Sequence, residues 1–261
     1  MSELVSIIIA NYNYAEFLSE SIRSAEMQTY SNIEIIYIDD GSTDNSMEIA
    51  EKFDIKILSQ ENQGVSSARN NAVDYAKGKY ILFLDADDIL MPRAVEHLYT
   101  MMSTSDDDVA YIYAQMEYFG NKTERFASRE FCPKALSKGN YISVTCLFLK
   151  DKFEQVGGFD RGLTTREDWE LFIRLWHHGF RGRLLSESIL KCRKHKSGKK
   201  LRFNTQKHLL QTKFIYQYPR FFIKKFFSKP WRYLYYMAFY SMRDNMNKFG
   251  PSSELPRVIK P

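Results

Sequence analysis

The feature that most limits what this chain can become is a rhythm in its first hundred residues. Short apolar runs alternate with amphipathic ones, the pattern of βα units built around a parallel sheet. Residues 5–10 read Val-Ser-Ile-Ile-Ile-Ala, a largely β-branched run expected of a strand covered on both faces. Residues 15–27 follow with Leu18, Ile22 and Ala25 at helical spacing. The same reasoning predicts strands over 34–38, 55–58 and 80–84. It predicts helices over 42–53, opened by Gly-Ser-Thr-Asp, and over 66–76, ended by Gly78. Pro92 sits where another helix begins, a favoured first-turn position. Over 109–119 the periodicity changes to a longer, aromatic-rich strand and the regular alternation stops. A further helix is predicted over 168–177, with Leu171, Phe172 and Leu175 on one face. The expected class is α/β, a mixed but mostly parallel Rossmann-like sheet flanked by helices.

Size and composition narrow the reading. With 261 residues, 44% hydrophobic and 26% charged, the chain has the material for one large domain with an appendage, and it is neither disordered nor fibrous. Cys132, Cys146 and Cys192 are far apart, odd in number and without a CxxC pair, which argues against a disulfide framework and a structural zinc site. No basic segment followed by an apolar one opens the sequence, and no stretch approaches the ~18 apolar residues of a membrane span. A cytoplasmic location is expected. The net charge of +5 conceals an asymmetry: residues 1–180 carry 17 Lys and Arg against 29 Asp and Glu, whereas residues 181–261 carry 20 against 3. The basic end is expected to meet an anionic partner. From about Leu201 the composition turns basic and aromatic, giving a domain over 1–200 and a helical C-terminal extension over 201–261.

Ligands of open parallel sheets bind beyond the carboxyl ends of the strands, and two such ends here carry carboxylates. The strand at 34–38 runs into Asp39-Asp40-Gly41-Ser42-Thr43-Asp44. A turn and helix cap explain Gly41 to Asp44, but not two adjacent carboxylates at the edge of a buried strand, where unpaired charge is costly. The strand at 80–84 runs into Asp85-Ala86-Asp87-Asp88. Three carboxylates within four positions repel one another unless a cation sits among them. In extended chain Asp85 and Asp87 point to one side with Cα atoms ~6.5–7 Å apart. A hard divalent cation held by one carboxylate and by phosphate oxygens suits that spacing; a solvated acidic turn is the alternative.

Six segments in order carry a family resemblance: Val5-Ser6-Ile7-Ile8-Ile9-Ala10-Asn11-Tyr12-Asn13; the Asp39 to Asp44 turn; Asn62-Gln63-Gly64 with Ala68-Arg69-Asn70; Asp85-Ala86-Asp87-Asp88; Gly157-Gly158-Phe159-Asp160 with Glu167-Asp168-Trp169-Glu170-Leu171; and Arg193-Lys194-His195. Together, over about residues 5–196, they resemble the family 2 glycosyltransferases of the GT-A fold. Ala10 stands where that family usually has proline, and Arg166 where it often has glycine; the second leaves open the shape of the acceptor side.

The resemblance implies roles. Tyr12 would stack on or edge the nucleotide base, and Asp39 would accept hydrogen bonds from base or ribose. Arg69 would lie near the nucleotide or its diphosphate, Asp85 would face the ribose and metal, and Ala86 would help bind the nucleotide-sugar. Asp87, with His195, would hold Mn²⁺ or Mg²⁺. Asp168 would be the general base that deprotonates the acceptor hydroxyl, kept ionised by its helix N-terminus, within a capping box formed by residues 165–168. Glu167 and Trp169 would shape the sugar and acceptor pocket, Trp169 by stacking. Plainer alternatives stand beside several of these: a rim aromatic for Tyr12, a surface helix charge for Arg69, a structural histidine for His195 and core packing for Trp169.

The implied activity is inverting transfer of a sugar from a nucleotide-diphosphate donor, UDP-sugar by default, to a hydroxyl of a glycan or lipid-linked acceptor. The absence of GxGxxG, HExxH and a Gly-rich loop after the first strand tells against dinucleotide, metalloprotease and nucleotidyltransferase chemistry. A non-catalytic sugar-nucleotide or nucleic-acid binding module is the competing class. The intact carboxylate set argues against it, and the tail resembles no RNA-binding motif, so nucleic acid is not an expected partner. Residues 213–240 hold 13 aromatic residues and 6 Lys or Arg with no Asp or Glu. Phe221-Phe222-Ile223-Lys224-Lys225-Phe226-Phe227 can place aromatics on one helical face with lysines at its edge, so this segment either packs on the catalytic domain or lies on an anionic membrane surface.

Overall fold

A computed structural model describes residues 2–121 and 123–195, together with Tyr218. The chain divides into two compact units, 1–198 and 199–261. The expected helical extension over 201–261 lies outside the described residues, Tyr218 apart.

The first unit opens with β1 (Val5–Asn11), α1 (Ala15–Glu26) and β2 (Ile33–Asp39), then α2 (Ser46–Ala50), β3 (Lys56–Ser59), α3 (Val65–Tyr75) and β4 (Tyr80–Asp85). It continues through β5 (Ile89–Leu90), α4 (Ala94–Met102), β6 (Val109–Gly120), β7 (Glu124–Phe126), α5 (Pro133–Leu136), β8 (Leu147–Leu149), α6 (Lys150–Gln155), α7 (Glu167–His177) and β9 (Arg181–Lys194). Among the described residues the nine strands form one sheet in the order β3-β2-β1-β4-β8-β6-β9-β5, with β7 paired to β6. β1, β2, β3 and β4 pair in parallel, as do β6 and β9; β8 runs antiparallel between β4 and β6. The sheet is therefore mixed, as expected.

β1 lies at the centre of the first half because its side chains can be covered on both faces. Ile7 is level with Ile35 on β2 and Leu82 on β4, and all three are buried. The two faces differ. Ile7, Ile9, Leu82 and Leu84 join Leu18, Ile22, Val95 and Leu98 in an aliphatic layer under α1 and α4. On the other face Phe83 meets Phe159, Phe153 and Phe148 at ring-centroid distances of 5.1, 5.4 and 5.8 Å, and Tyr111 meets Phe172 at 4.9 Å. These offset and edge-on contacts account for much of the aromatic content as core.

Three expectations are corrected. The helix predicted over 42–53 is confined to Ser46–Ala50, because the preceding N–H groups are taken by side chains. Asp39 accepts from Ser42 N–H at 2.8 Å, and Asn13 from Thr43 N–H at 2.7 Å. The helix after Pro92 starts at Ala94. Finally, residues 181–194 form the longest strand, β9, where no strand was predicted.

Candidate active site

The carboxyl ends of β1, β2 and β4 point the same way, since these strands are parallel, and they deliver the predicted groups to one edge. Asn11, the last residue of β1, donates from Nδ2 to Asp39 Oδ1 at 3.2 Å, to Tyr37 Oη at 3.1 Å and to Ser42 Oγ at 3.1 Å. Tyr37 also donates to Asp39 Oδ1, at 2.9 Å. Asp39 is thus buried and held rigid, whereas Tyr12, just past the end of β1, is 46% exposed. The neighbouring Asp40 does something else. It accepts from Gln60 Nε2 at 2.7 Å, Gln63 N–H at 2.8 Å and Gly64 N–H at 2.8 Å, latching the loop that launches α3. The adjacent carboxylates therefore divide into one held by Asn11, Tyr37 and Ser42 and one that latches a loop. Gly41, which follows them, has φ +75°, and a Cβ there would lie 2.8 Å from the Asn62 nitrogen.

Beyond β4, Asp85, Ala86, Asp87 and Asp88 turn along the sheet edge. Asp88 is buried, and its Oδ1 accepts from Arg193 N–H at 2.8 Å. Burial, then the charges of Asp85 and Asp87, push its carboxyl up to about 8. Burial and Asp85 also raise Asp87, while His195 opposes the rise. His195 Nε2 lies 2.7 Å from Asp87 Oδ2, bringing residues 108 positions apart into contact. This reach depends on β9, whose parallel pairing with β6 carries the chain back to the edge. Arg193 pins the arrival: Nε donates to the Asp87 carbonyl at 3.0 Å, and the guanidinium pairs with Glu20 between the rings of Phe17 and Phe119.

Among the described residues no cluster of three or more His, Cys, Asp or Glu could hold a metal ion. Asp87 and His195 form a two-donor edge beside the crowded charges of Asp85 and Asp88. A carboxylate oxygen with one imidazole, completed by phosphate oxygens, fits Mn²⁺ or Mg²⁺.

Arg69 is placed differently from the expectation. It is buried on α3, with NH2 2.6 Å from Asp85 Oδ1, NH1 3.3 Å from Glu167 Oε1, and its guanidinium 5.3 Å from the Phe159 ring centroid. It is not a surface helix charge, since it is buried between two carboxylates. Next to it, Asn70 clamps the backbone of Phe159, accepting its N–H at 2.9 Å and donating to its carbonyl at 2.8 Å. Two of the sequence motifs thus hold each other.

α7 brings the remaining groups. No capping box forms: the residue before the helix is Arg166, in the left-handed region at φ +61°, and no side chain caps the end. This is the position where the resembled family often carries glycine, which adopts that conformation freely. Asp168 accepts from Trp169 N–H at 2.7 Å on Oδ1 and from Asn140 Nδ2 at 2.7 Å on Oδ2. The helix N-terminus does not keep it fully ionised near neutrality. Burial, then Glu167, push its carboxyl up to about 7 against the pull of the Trp169 N–H and Arg69. Trp169 is fully buried and donates to the Leu136 carbonyl at 2.8 Å, so it is core and cannot stack on a sugar. Tyr14 and Asn140 were missed, and Arg193 was named in a motif without a role of its own. Tyr14 follows the quoted Asn-Tyr-Asn run, its ring centroid lies 6.0 Å from that of His195, and its hydroxyl is raised by burial and by Asp87, Asp85 and Asp88. Two grooves of about 480 and 520 Å³, at the α1–β5 edge and at the amino ends of β1 and β4, are not lined by these carboxylates.

The family model described as glycosyl transferase family 2 matches residues 6–164, more than half of the chain. The chain belongs to glycosyl transferase family 2. Glycosyltransferase GlyG of Streptococcus pneumoniae serotype 4 is 39% identical to it over 145 residues, 52% of this chain and 48% of the relative. The crystal structure of S. aureus TarS 1-349 in complex with UDP-GlcNAc superposes with TM-score 0.64 at 20% identity, covering 74% of this chain and 59% of that one. Mannosyltransferase PcManGT from Pyrobaculum calidifontis, in complex with GDP-Man and Mn²⁺, gives TM-score 0.60 at 18% identity, covering 83% and 64%. The structural likenesses establish the shared GT-A fold. This family 2 chain spans about half the length of GlyG. Among its described residues no helix is long and apolar enough to cross a membrane.

Proposed function

We propose that this family 2 chain is an inverting sugar transferase that takes a hexosyl or N-acetylhexosaminyl group from a nucleotide-diphosphate donor, UDP-sugar first, and passes it to a hydroxyl of a glycan or lipid-linked acceptor. The observation that carries this reading is the Asp85–Arg69–Glu167 tie, which joins the strand end bearing the Asp87–His195 pair to the start of α7, where Asp168 stands. Tyr12 and Asp39 would receive the nucleotide, and Asp85 and Ala86 the ribose and sugar. Glu167 would border the acceptor. TarS with UDP-GlcNAc and PcManGT with GDP-Man and Mn²⁺ share the fold, which supports a nucleotide-sugar donor and a divalent cation.

Asp168 takes the proton from the acceptor hydroxyl as its oxygen attacks the anomeric carbon from the face opposite the nucleotide. The bond to the diphosphate breaks and its electron pair leaves with the diphosphate. Asp87 and His195 would hold Mn²⁺ or Mg²⁺, which when bound supplies positive charge for that leaving group. A carboxyl balanced near neutral pH suits a general base, whose assistance is typically worth ~10²–10⁴-fold.

The test is Asp168→Asn in the full chain. UDP binding with Mn²⁺, measured by calorimetry, is expected to stay within a few-fold, while donor turnover falls ~10²-fold or more. Turnover near wild type assigns the base elsewhere, and proton NMR of a product with retained anomeric configuration overturns inversion independently. The basic, aromatic residues 213–240 support docking at the inner face of an anionic membrane, where a lipid-linked acceptor would lie.

A further inference from the structure

Asn140 belongs to the segment between α5 and β8, and the role of Asp168 as base, proposed above, gives it one. Its Oδ1 accepts the Ile142 N–H at 3.1 Å, which fixes which way round the carboxamide lies. Nδ2 is thereby aimed at Asp168 Oδ2, 2.7 Å away. The segment is itself tied down. The Tyr141 hydroxyl accepts from Cys132 N–H at 2.8 Å, and the Tyr141 carbonyl accepts from Ser128 Oγ at 3.2 Å. The Trp169 indole donates to the Leu136 carbonyl at 2.8 Å. Tyr141 and Ile142 are buried. Asn140 is therefore an exposed amide on an anchored turn, and resting it against a carboxylate costs little further ordering.

We propose that Asn140 is a positioning residue for the transfer base: its N–H holds Asp168 in one orientation and stabilises the carboxylate form that accepts the proton. A hydrogen bond donated to a charged group favours the charged form. The other groups facing Asp168 are Glu167 and Arg166 at the start of α7, Arg69 from α3, Asp85 from β4 and Cys146 ahead of β8. Burial, Glu167 and Asp85 favour the protonated acid, and Arg69 the carboxylate. Asn140 adds a neutral donor on the same side as Arg69. Removing it raises the midpoint, so that less carboxylate is present at any pH near neutrality.

Two variants separate this role from loop support. Asn140→Ala removes the donor and the turn acceptor together. Asn140→Asp keeps an oxygen for the Ile142 N–H, preserving the turn, but faces Asp168 with a second carboxylate. The readout is ¹³C NMR of the full chain carrying labelled aspartate, with the Asp168 resonance identified by its loss in Asp168→Asn. The midpoint is expected to rise by about half a pH unit or more in Asn140→Ala, and by more than one unit in Asn140→Asp, where like charges meet. Release of UDP from UDP-GlcNAc with Mn²⁺, water serving as acceptor, should show a lower kcat below the new midpoint at unchanged donor KM. Wild-type midpoints in both variants overturn the proposal. Shifted midpoints together with an active Asp168→Asn enzyme overturn it by the other arm, because the base reading on which it rests has then failed.

Discussion

Asp85, Asp87 and Asp88 crowd three carboxyl groups within four positions, and among the described residues His195 brings an imidazole to Asp87. Their mutual repulsion is the driving force for taking up a cation, so Asp87→Ala is expected to weaken Mn²⁺-dependent UDP binding by ~10-fold or more. Calorimetry with Mn²⁺ and with EDTA checks this; equal UDP affinity in the two overturns the metal assignment. These carboxylates were legible because each follows a buried apolar strand, and a strand end in an open sheet has few other uses for paired acids. Trp169 was not legible. The third helical position of an amphipathic helix reads alike whether it faces core or pocket, and only the Leu136 carbonyl decides it. Asn140 left no signal at all, because Ser-Lys-Gly-Asn reads as an ordinary turn until α7 is laid beside it. Arg166 offered half a signal: a departure from the resembled family's glycine, whose meaning emerges only as a left-handed backbone.

At the level of elements, α3 and α7 are joined to β4 through one guanidinium. Arg69 lies between Asp85 and Glu167 with little access to water. Arg69→Met fills similar volume but leaves two carboxylates facing each other. The expected loss is about 2–4 kcal/mol, below the full figure for a buried pair because Asp85 is partly exposed. Arg69→Lys recovers only part of it, since an ammonium cannot fork between two partners. Urea unfolding measures both, and a loss under ~1 kcal/mol for Arg69→Met would show that the tie is not structural. The first four strands were readable to within a residue or so: β1, β2 and β4 because burial writes largely apolar runs, and the edge strand β3 from its short Ile-Leu core between polar residues. β9 was not, since its half-buried pattern mixes arginines, lysines and serines with the leucines. β8, three residues long, is too short to show any period. α2 was overestimated because competing side-chain acceptors are invisible in a propensity reading.

Across the whole molecule the charge is divided: residues 1–180 are acidic and residues 181–261 basic. The acidic part contains the carboxylates of the site, and the basic part contributes β9 and the sequence beyond it. Full-length protein is expected to co-sediment with vesicles containing anionic lipid but not with neutral ones. High salt, and charge reversal at Lys224 and Lys225, should reduce recovery, each basic residue near the surface being worth ~1 kcal/mol. Equal recovery in the supernatant with both vesicle types overturns the membrane reading and leaves the family membership untouched. The contact between Asp87 and His195 also sets an order of events during synthesis. A ribosome adding about 5–20 residues per second needs roughly 5–20 s to pass from one to the other, and the separation is 108 residues. Throughout that interval β1 to β4 already exist as chain, while the histidine that meets Asp87 does not. The nascent protein thus carries Asp39, Asp85, Asp87 and Asp88 well before it owns His195.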